Sequence, residues 1–474
     1  MQILRFAATG PKTKVRPVRG SAGSVIKRLR EDLDRSLFLS AQPGALRFRG
    51  WEGALVLACF FAFAMALQFL RAGPEDSIKA LFAEDGPVYL KGGLEHGFFD
   101  SLTTGYAEYL VVIPRLIGEV ATLPPLRYAP EAMNLSAVFL VAVSALAVWV
   151  GSAGLVRSTY LRALLVALVL VPPAAGLETV VSATNVPWYT SYAVFWLLLW
   201  RPETTWGTVL GALLILLSGL SSPVFFFFGP LAALRAIAIR DVRDGLLVAA
   251  FGIALAIQLP VTLLSTEPVT DPLWTTNILT TFLQRVVSGS AIGLELSSDA
   301  WTAWGWPFLV AIGVAVAAVL IALAVRATSG RLFALIAVAT AVVMFLVSGY
   351  QRSLGDVMVW PLDFSTTLGG RYAMIPALLI ASAAIVLADS PGRKPRARPW
   401  PAFAVTAVLL LAIVTSFGGD ANREMPSWSG SVRGGAVLCH DRNISEVTLF
   451  VSPEGWSMPI SCEDLESEYA APAP

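Results

Sequence analysis

The chain has 474 residues, 56% of them hydrophobic and 14% charged, with a formal net charge of +1 and a mean hydropathy of +0.68. Soluble domains carry roughly a quarter charged residues, and a large soluble α protein needs polar faces on most of its helices. The apolar runs here lack such faces, which excludes that class and puts the chain in a bilayer.

Residues 1–50 hold Arg5, Lys12, Lys14, Arg16, Arg19, Lys27, Arg28 and Arg30 ahead of the first apolar run. A basic tail before a span reads as cytoplasmic, with anionic lipid headgroups beside it as its partner and no nucleic acid. The first apolar run starts near residue 51, too late and too long for a cleavable signal peptide. Roughly 20 apolar residues cross the hydrocarbon as a helix, and WEGALVLACFFAFAMALQFL (51–70) is the first such run. The stretch LFAEDGPVYLKGGLEHGFFD (81–100) follows it and crowds Glu84, Asp85, Lys91, Glu95, His96 and Asp100 together. Lys91 and Glu95 stand at i,i+4 and are expected to pair, as are Arg115 and Glu119.

The run 109–125, YLVVIPRLIGEVATLPP, is short, charged and closed by two prolines. It is expected to lie in the interface or re-enter on the outer side, which keeps the basic loop RSTYLR (157–162) inside. Further spans follow near 134–155, 161–176, 187–200, 206–220, 223–235, 245–265, 305–326, 331–349, 372–389 and 402–418. At 217–234 a tight hairpin is favoured over one kinked helix because a basic loop comes next. The fold expected is an all-α polytopic membrane protein of about eleven transmembrane helices. Its parts are a basic cytoplasmic tail (1–50), a transmembrane domain (51–418) whose first external loop is 71–133, and a small external tail (419–474). The other outer loops are 177–186, 266–304 and 350–371, and no internal repeat supports an inverted-repeat transporter. The arginine-rich, Ala/Gly/Pro-rich composition suggests a bacterium with a GC-rich genome, hence a bacterial cytoplasmic membrane.

Cys59 reads as a small packing residue inside the first span. Cys439 and Cys462 fall in the external tail, where disulfides persist, and bracket NISEVTLFVSPEGWSMPISC, which alternates like a β-hairpin about SPEG. A disulfide closing that loop adds about 3 kcal/mol in the chain-entropy model. A metal pair with His440 lacks two further ligands.

The adjacent Glu84 and Asp85 lie beyond the first span, before a Gly-Pro turn that can aim them into a cleft. A partly desolvated carboxylate beside a second one has a raised pKa and can serve as a base near neutral pH. The plain alternative is a solvated acidic loop. The pair could also hold a divalent cation such as Mg²⁺ or Mn²⁺, although no full ligand set is visible. Glu178 and Asn185 flank the second outer loop and could line an acceptor cleft; Trp188 and Trp360 fit aromatic-belt positions. His96 is either a second base or a surface residue.

The stretch FAEDGPVYL…YAEYLVVIPRLIGEVATLPP, the hairpin GLSSPVFFFFGPLAAL and GGRYAMIP (369–376) together resemble bacterial members of the GT-C superfamily of membrane glycosyltransferases. The resemblance covers about 51–235 and 345–390, and the cysteine-bearing tail is faintly similar to outer domains of actinobacterial cell-wall members. It implies transfer of a sugar from a polyprenyl-phosphate donor to a glycan or glycolipid acceptor on the outer face. By resemblance the base is Asp85, or Glu84 if the pair is reversed. Arg371, then Arg352, would hold the leaving phosphate with a guanidinium fork, and Tyr372 would pack on lipid or sugar. Against this, Arg371 and Arg352 could be interfacial anchors. A transporter or flippase, which places ionisable groups at the midplane, and an inactive envelope scaffold are the competing functions.

Overall fold

The computed structural model describes residues 22–40, 50–73, 78–264, 276–351, 370–390, 400–418 and 427–469, apart from 443 and 454. The helices in order are α1 (Ala22–Ser36), α2 (Gly50–Ala72), α3 (Val112–Ala121), α4 (Ala129–Gly151), α5 (Thr159–Leu170) and α6 (Val186–Leu199). Then come α7 (Thr205–Gly219), α8 (Gly229–Ile237), α9 (Val242–Leu264), the broken helix α10 (Ile278–Ile292), α11 (Leu294–Trp304) and α12 (Trp306–Arg326). α13 (Arg331–Gln351), α14 (Arg371–Asp389), α15 (Trp400–Val414) and α16 (Trp428–Arg442) precede a β1 (Glu446–Val451) and β2 (Trp456–Ser461) hairpin and α17 (Cys462–Tyr469).

Six of the described helices are long and apolar enough to cross a bilayer: α2, Leu126–Gly154 (which contains α4), α9, α12, α13 and α14. The chain is a multi-pass membrane protein. Shorter apolar helices α5, α6, α10 and α15 pack among them, and α6 is buried along its whole length. Prolines sit in the first turns of α4, α6, α8 and α12, where the missing N–H costs nothing. The Thr204 hydroxyl caps α7 by accepting from Gly207 N–H at 3.1 Å. At 217–234 the chain turns sharply: Thr205–Gly219 and Pro223–Ile237 bend by 120°, with Ser222 Oγ accepting from Val224 N–H at the break.

Three stretches hold features that their sequences do not announce. The basic tail is partly folded: α1 buries Leu33, and Leu37 and Phe38 beyond it are fully enclosed. Asp34 joins a network in which Arg201 bridges Asp34 and Asp244, Arg235 also reaches Asp244, and Arg240 reaches Asp34 at 3.0 Å. Single acidic residues anchor an otherwise basic segment here, which a count of charges does not reveal. The run 109–125 forms the short helix α3, with Val112, Ile113, Arg115 and Ile117 buried against its neighbours. Within it Arg115 donates to Val88 O at 2.7 Å and lies over the Tyr89 ring, in place of the expected pair with Glu119. Lys91 and Glu95 do pair, at 3.5 Å. Third, the expected outer loop 266–304 contains α10 and α11, and α10 carries a π-helical stretch, Phe282–Ser288, that buries Gln284 and Arg285 completely.

Two cores result. One fills the helical bundle. The second lies at the end where α2 finishes and α14 begins, and unites Leu81, Tyr89 and Leu90 with Ile113, Trp428 and Val447. The C-terminal hairpin is built into this second core: Val447, Leu449 and Val451 alternate inward on β1, facing Met458 and Ile460 of β2. Cys439 and Cys462 are joined, with Cα atoms 5.5 Å apart. His440 stacks on Tyr469 at 4.1 Å.

Candidate active site

The acidic pair occupies a tight 3-10 turn, Ala83–Asp85, entered through a left-handed Ala83 (φ 47°). The C-terminal hairpin holds this entry. Ser452 N–H donates to Leu81 O at 3.0 Å, and Ala83 N–H donates to Ser452 O. The turn sends the two carboxylates in different directions.

Asp85 is fully buried and faces the loop before α6. Its Oδ2 accepts from Ala183 N–H at 3.1 Å, and its Oδ1 accepts from Thr184 N–H at 2.9 Å and Thr184 Oγ at 2.7 Å. Burial pushes its pKa up to about 6, against the three donors, which favour the ionised form. With the folded pKa above the unfolded one, the native state keeps its proton longer as pH rises. The residue's contribution is thus greatest in acid and is lost as pH climbs through about 6. The melting temperature of the wild type minus that of Asp85→Asn should therefore fall between pH 4 and pH 6.5; a flat difference would remove this assignment.

Glu84 points the other way and, with Arg371, lines a cavity of about 200 Å³. The aromatic residues Tyr89, Tyr106, Tyr109, Trp188 and Tyr372 line it too, beside Thr184, Ser221 and Ser222. Trp188 is buried and meets Tyr372 edge-on at 5.1 Å, so it belongs to this wall and not to an interfacial belt. Burial holds the Tyr89 hydroxyl well above its usual range, keeping it a neutral donor.

Arg371 opens α14, where the helix dipole disfavours a cation. Local carboxylates offset this: Arg371 N–H donates to Glu178 Oε1 at 2.6 Å, and the charges of Glu178 and Glu84 both act on the guanidinium. Gly370 fits here because a Cβ would strike Ala175 O. Gly370→Ala should displace the start of α14, costing about 1–3 kcal/mol and most of the function of Arg371. Unchanged thermal stability in that variant would show the contact to be slack.

A second chamber of about 330 Å³ adjoins the first and shares Tyr109, Trp188, Ser222 and Tyr372 with it. Phe226, Phe227, Glu108, Ser348 and Gln351 complete its character. The non-glycine residues of positive φ among those described are Ala83, Ala107, Glu108 and Val181, and all lie on segments that build or brace these chambers. Such strain persists only where surrounding structure imposes it, and it clusters at functional sites.

The remaining expected site residues fall elsewhere. Glu178 and Asn185 brace the loop and are on the wall of neither of these two chambers: Asn185 is buried and donates to Glu178 O at 2.9 Å and Ser182 Oγ at 3.2 Å. His96 is exposed and apart from both chambers. Arg352 and Trp360 lie outside the described residues. Among the described residues no three His, Cys, Asp or Glu side chains cluster as metal ligands, and both Asp85 oxygens are occupied by Ala183 and Thr184. The acidic pair thus does not fit the chelation once open to it. Nothing in the sequence marks Arg285, which falls in an expected loop; it is fully buried, with Glu178 as the charge it feels.

Comparison with protein-family models, with curated proteins and with solved structures gives no match.

Proposed function

We propose that the chain is a GT-C-like glycosyltransferase, moving a sugar from a polyprenyl-phosphate donor to a glycan or glycolipid acceptor on the outer face of a bacterial cytoplasmic membrane. The observation that carries this reading is a carboxylate, Glu84, and a guanidinium, Arg371, on the wall of one cavity at the end of the apolar bundle. Glu84 takes the role of base, in place of Asp85, because Asp85 is buried and fully engaged. In this reaction the acceptor oxygen attacks the anomeric carbon as Glu84 removes its proton. The bond from that carbon to the phosphate oxygen breaks, and Arg371 neutralises the departing phosphate. Tyr372 and Trp188 pack on the sugar or the proximal prenyl units.

In this orientation the N-terminus is cytoplasmic and the C-terminal hairpin external. The cluster of Arg201, Arg235, Arg240 and Arg243 at the opposite end of the bundle supports it through the positive-inside bias. This reading takes the six long helices, α5, α6, α15 and both arms of the bent pair as its eleven crossings, and sets α10 aside as packed inside.

A second reading, transport of an anionic solute, draws on the buried Arg71 and Arg285 within apolar helices. Proteoliposomes given a radiolabelled polyprenyl-phosphate sugar and an extract of envelope glycans separate the two. Label appearing in glycan with release of polyprenyl phosphate supports transfer. Label crossing the bilayer with no covalent product would replace it with transport.

A further inference from the structure

The turn Tyr106–Tyr109 is closed by two backbone hydrogen bonds, Tyr106 N–H to Tyr109 O at 2.8 Å and Tyr109 N–H to Tyr106 O at 3.2 Å. Its two central residues, Ala107 and Glu108, have φ of 50° and 76°. This is the backbone of a type I′ turn, which normally takes Asn-Gly because both positions are left-handed. A residue with a Cβ costs roughly 1–2 kcal/mol at each such position. Glycine or asparagine would make the turn more stable, so fold stability does not account for Glu108.

The strained turn sets Glu108 on the wall of the second chamber, where it makes no hydrogen bond or ion pair with the described residues. The same chamber is lined by Ser222, Ser348 and Gln351, which carry hydroxyls and an amide, by the aromatic residues Tyr109, Trp188 and Tyr372, and by apolar residues such as Phe226 and Phe227. A carboxylate that accepts from hydroxyls, an amide, and aromatic faces for C–H surfaces are the groups that bind a sugar. Glu108 and Glu84 line different chambers, with Tyr109, Ser222, Trp188 and Tyr372 common to both walls.

We infer that the second chamber binds the saccharide of the acceptor and that Glu108 selects it by accepting hydrogen bonds from its hydroxyls. This rests on the transfer reading above, to which it adds the place and chemistry of the second substrate. Hydrogen bonds to a charged group contribute about 1.5–3 kcal/mol, which corresponds to roughly 10- to 100-fold in affinity.

The test uses the full chain in lipid nanodiscs free of glycoside detergent. Hexyl glucoside, mannoside and galactoside, each with a diazirine in the hexyl chain, are photolysed and the labelled peptides mapped. At least one glycoside should label the peptides holding 106–109 and 222–227, while a hexyl diazirine lacking sugar should label them roughly tenfold less. Glu108→Gln should reduce the glycoside labelling at least tenfold. Glu108→Asn should reduce it equally while raising the melting temperature, since Asn accepts the left-handed backbone. A purely structural Glu108 would instead lose stability in both variants. Equal labelling by the sugar-free probe, labelling unaffected by Glu108→Gln, or no labelling by any glycoside would overturn the proposal. Intact, Glu108-dependent labelling in a protein that transfers no sugar would remove the transfer reading and leave the sugar site standing.

Discussion

Glu84→Gln is expected to lower sugar transfer by about 10²- to 10⁴-fold, the usual loss when a positioned base is removed, with little change in melting temperature. Glu84 is only partly buried and its carboxylate lines the cavity, so the amide replaces it without leaving donors unmatched. Its neighbour should behave in the opposite manner. Asp85→Asn turns an amide N–H₂ toward donors from Ala183 and Thr184, and an unsatisfied buried group costs about 1–3 kcal/mol. Transfer by Asp85→Asn should fall only as far as the protein's stability does. Measuring turnover and melting temperature for both variants separates the roles. Full turnover in Glu84→Gln would leave Arg371 facing a carboxylate with no part in the chemistry.

The second large effect concerns the C-terminal hairpin. Opening the Cys439–Cys462 link, with both cysteines changed to serine, should cost about 3 kcal/mol, or roughly a hundredfold in the local opening equilibrium. The consequence reaches Glu84 because Ser452 brackets Phe82, donating to Leu81 O and accepting from Ala83 N–H just before the acidic pair. Two other ties fasten the same unit: Trp428 Nε1–H to Leu126 O at 2.9 Å, and Arg127 to the nearly buried Glu468 at 2.8 Å. Hydrogen exchange at residues 81–85 should rise in the double-serine variant, and transfer should fall about tenfold or more in step with it. Unchanged protection of that segment would show that the hairpin merely rests on the site.

The multi-pass class and most helix positions could be read from apolar run lengths, because a segment that crosses lipid must satisfy its backbone internally. The Lys91–Glu95 pair and the β-hairpin were equally local, set by i,i+4 spacing and by two-residue alternation. What the sequence hid was long-range. Nothing near Asp85 announces that Thr184 will claim it, and that capture decides which acid reaches the cavity. Arg285 is hidden for a related reason: the segment ILTTFLQRVVSG is short and polar for a span, yet buries Gln284 and Arg285. Trp188 read as interfacial because its partner, Tyr372, is far away in the chain. Arg371 stands out at the start of a late span, but nothing in the sequence marks Glu178 as its partner.

The pairing of Ala83 with Ser452 also bears on how the molecule is made. Chains fold as they emerge, early segments first, yet the acid-bearing turn is made long before its backbone partner, Ser452. Until the hairpin arrives, Leu81 and Ala83 lack the partners that shape that turn. Nascent chains stopped short of Ser452 would therefore insert with this corner unset, and the turn that carries Glu84 would take its shape only once the hairpin has emerged.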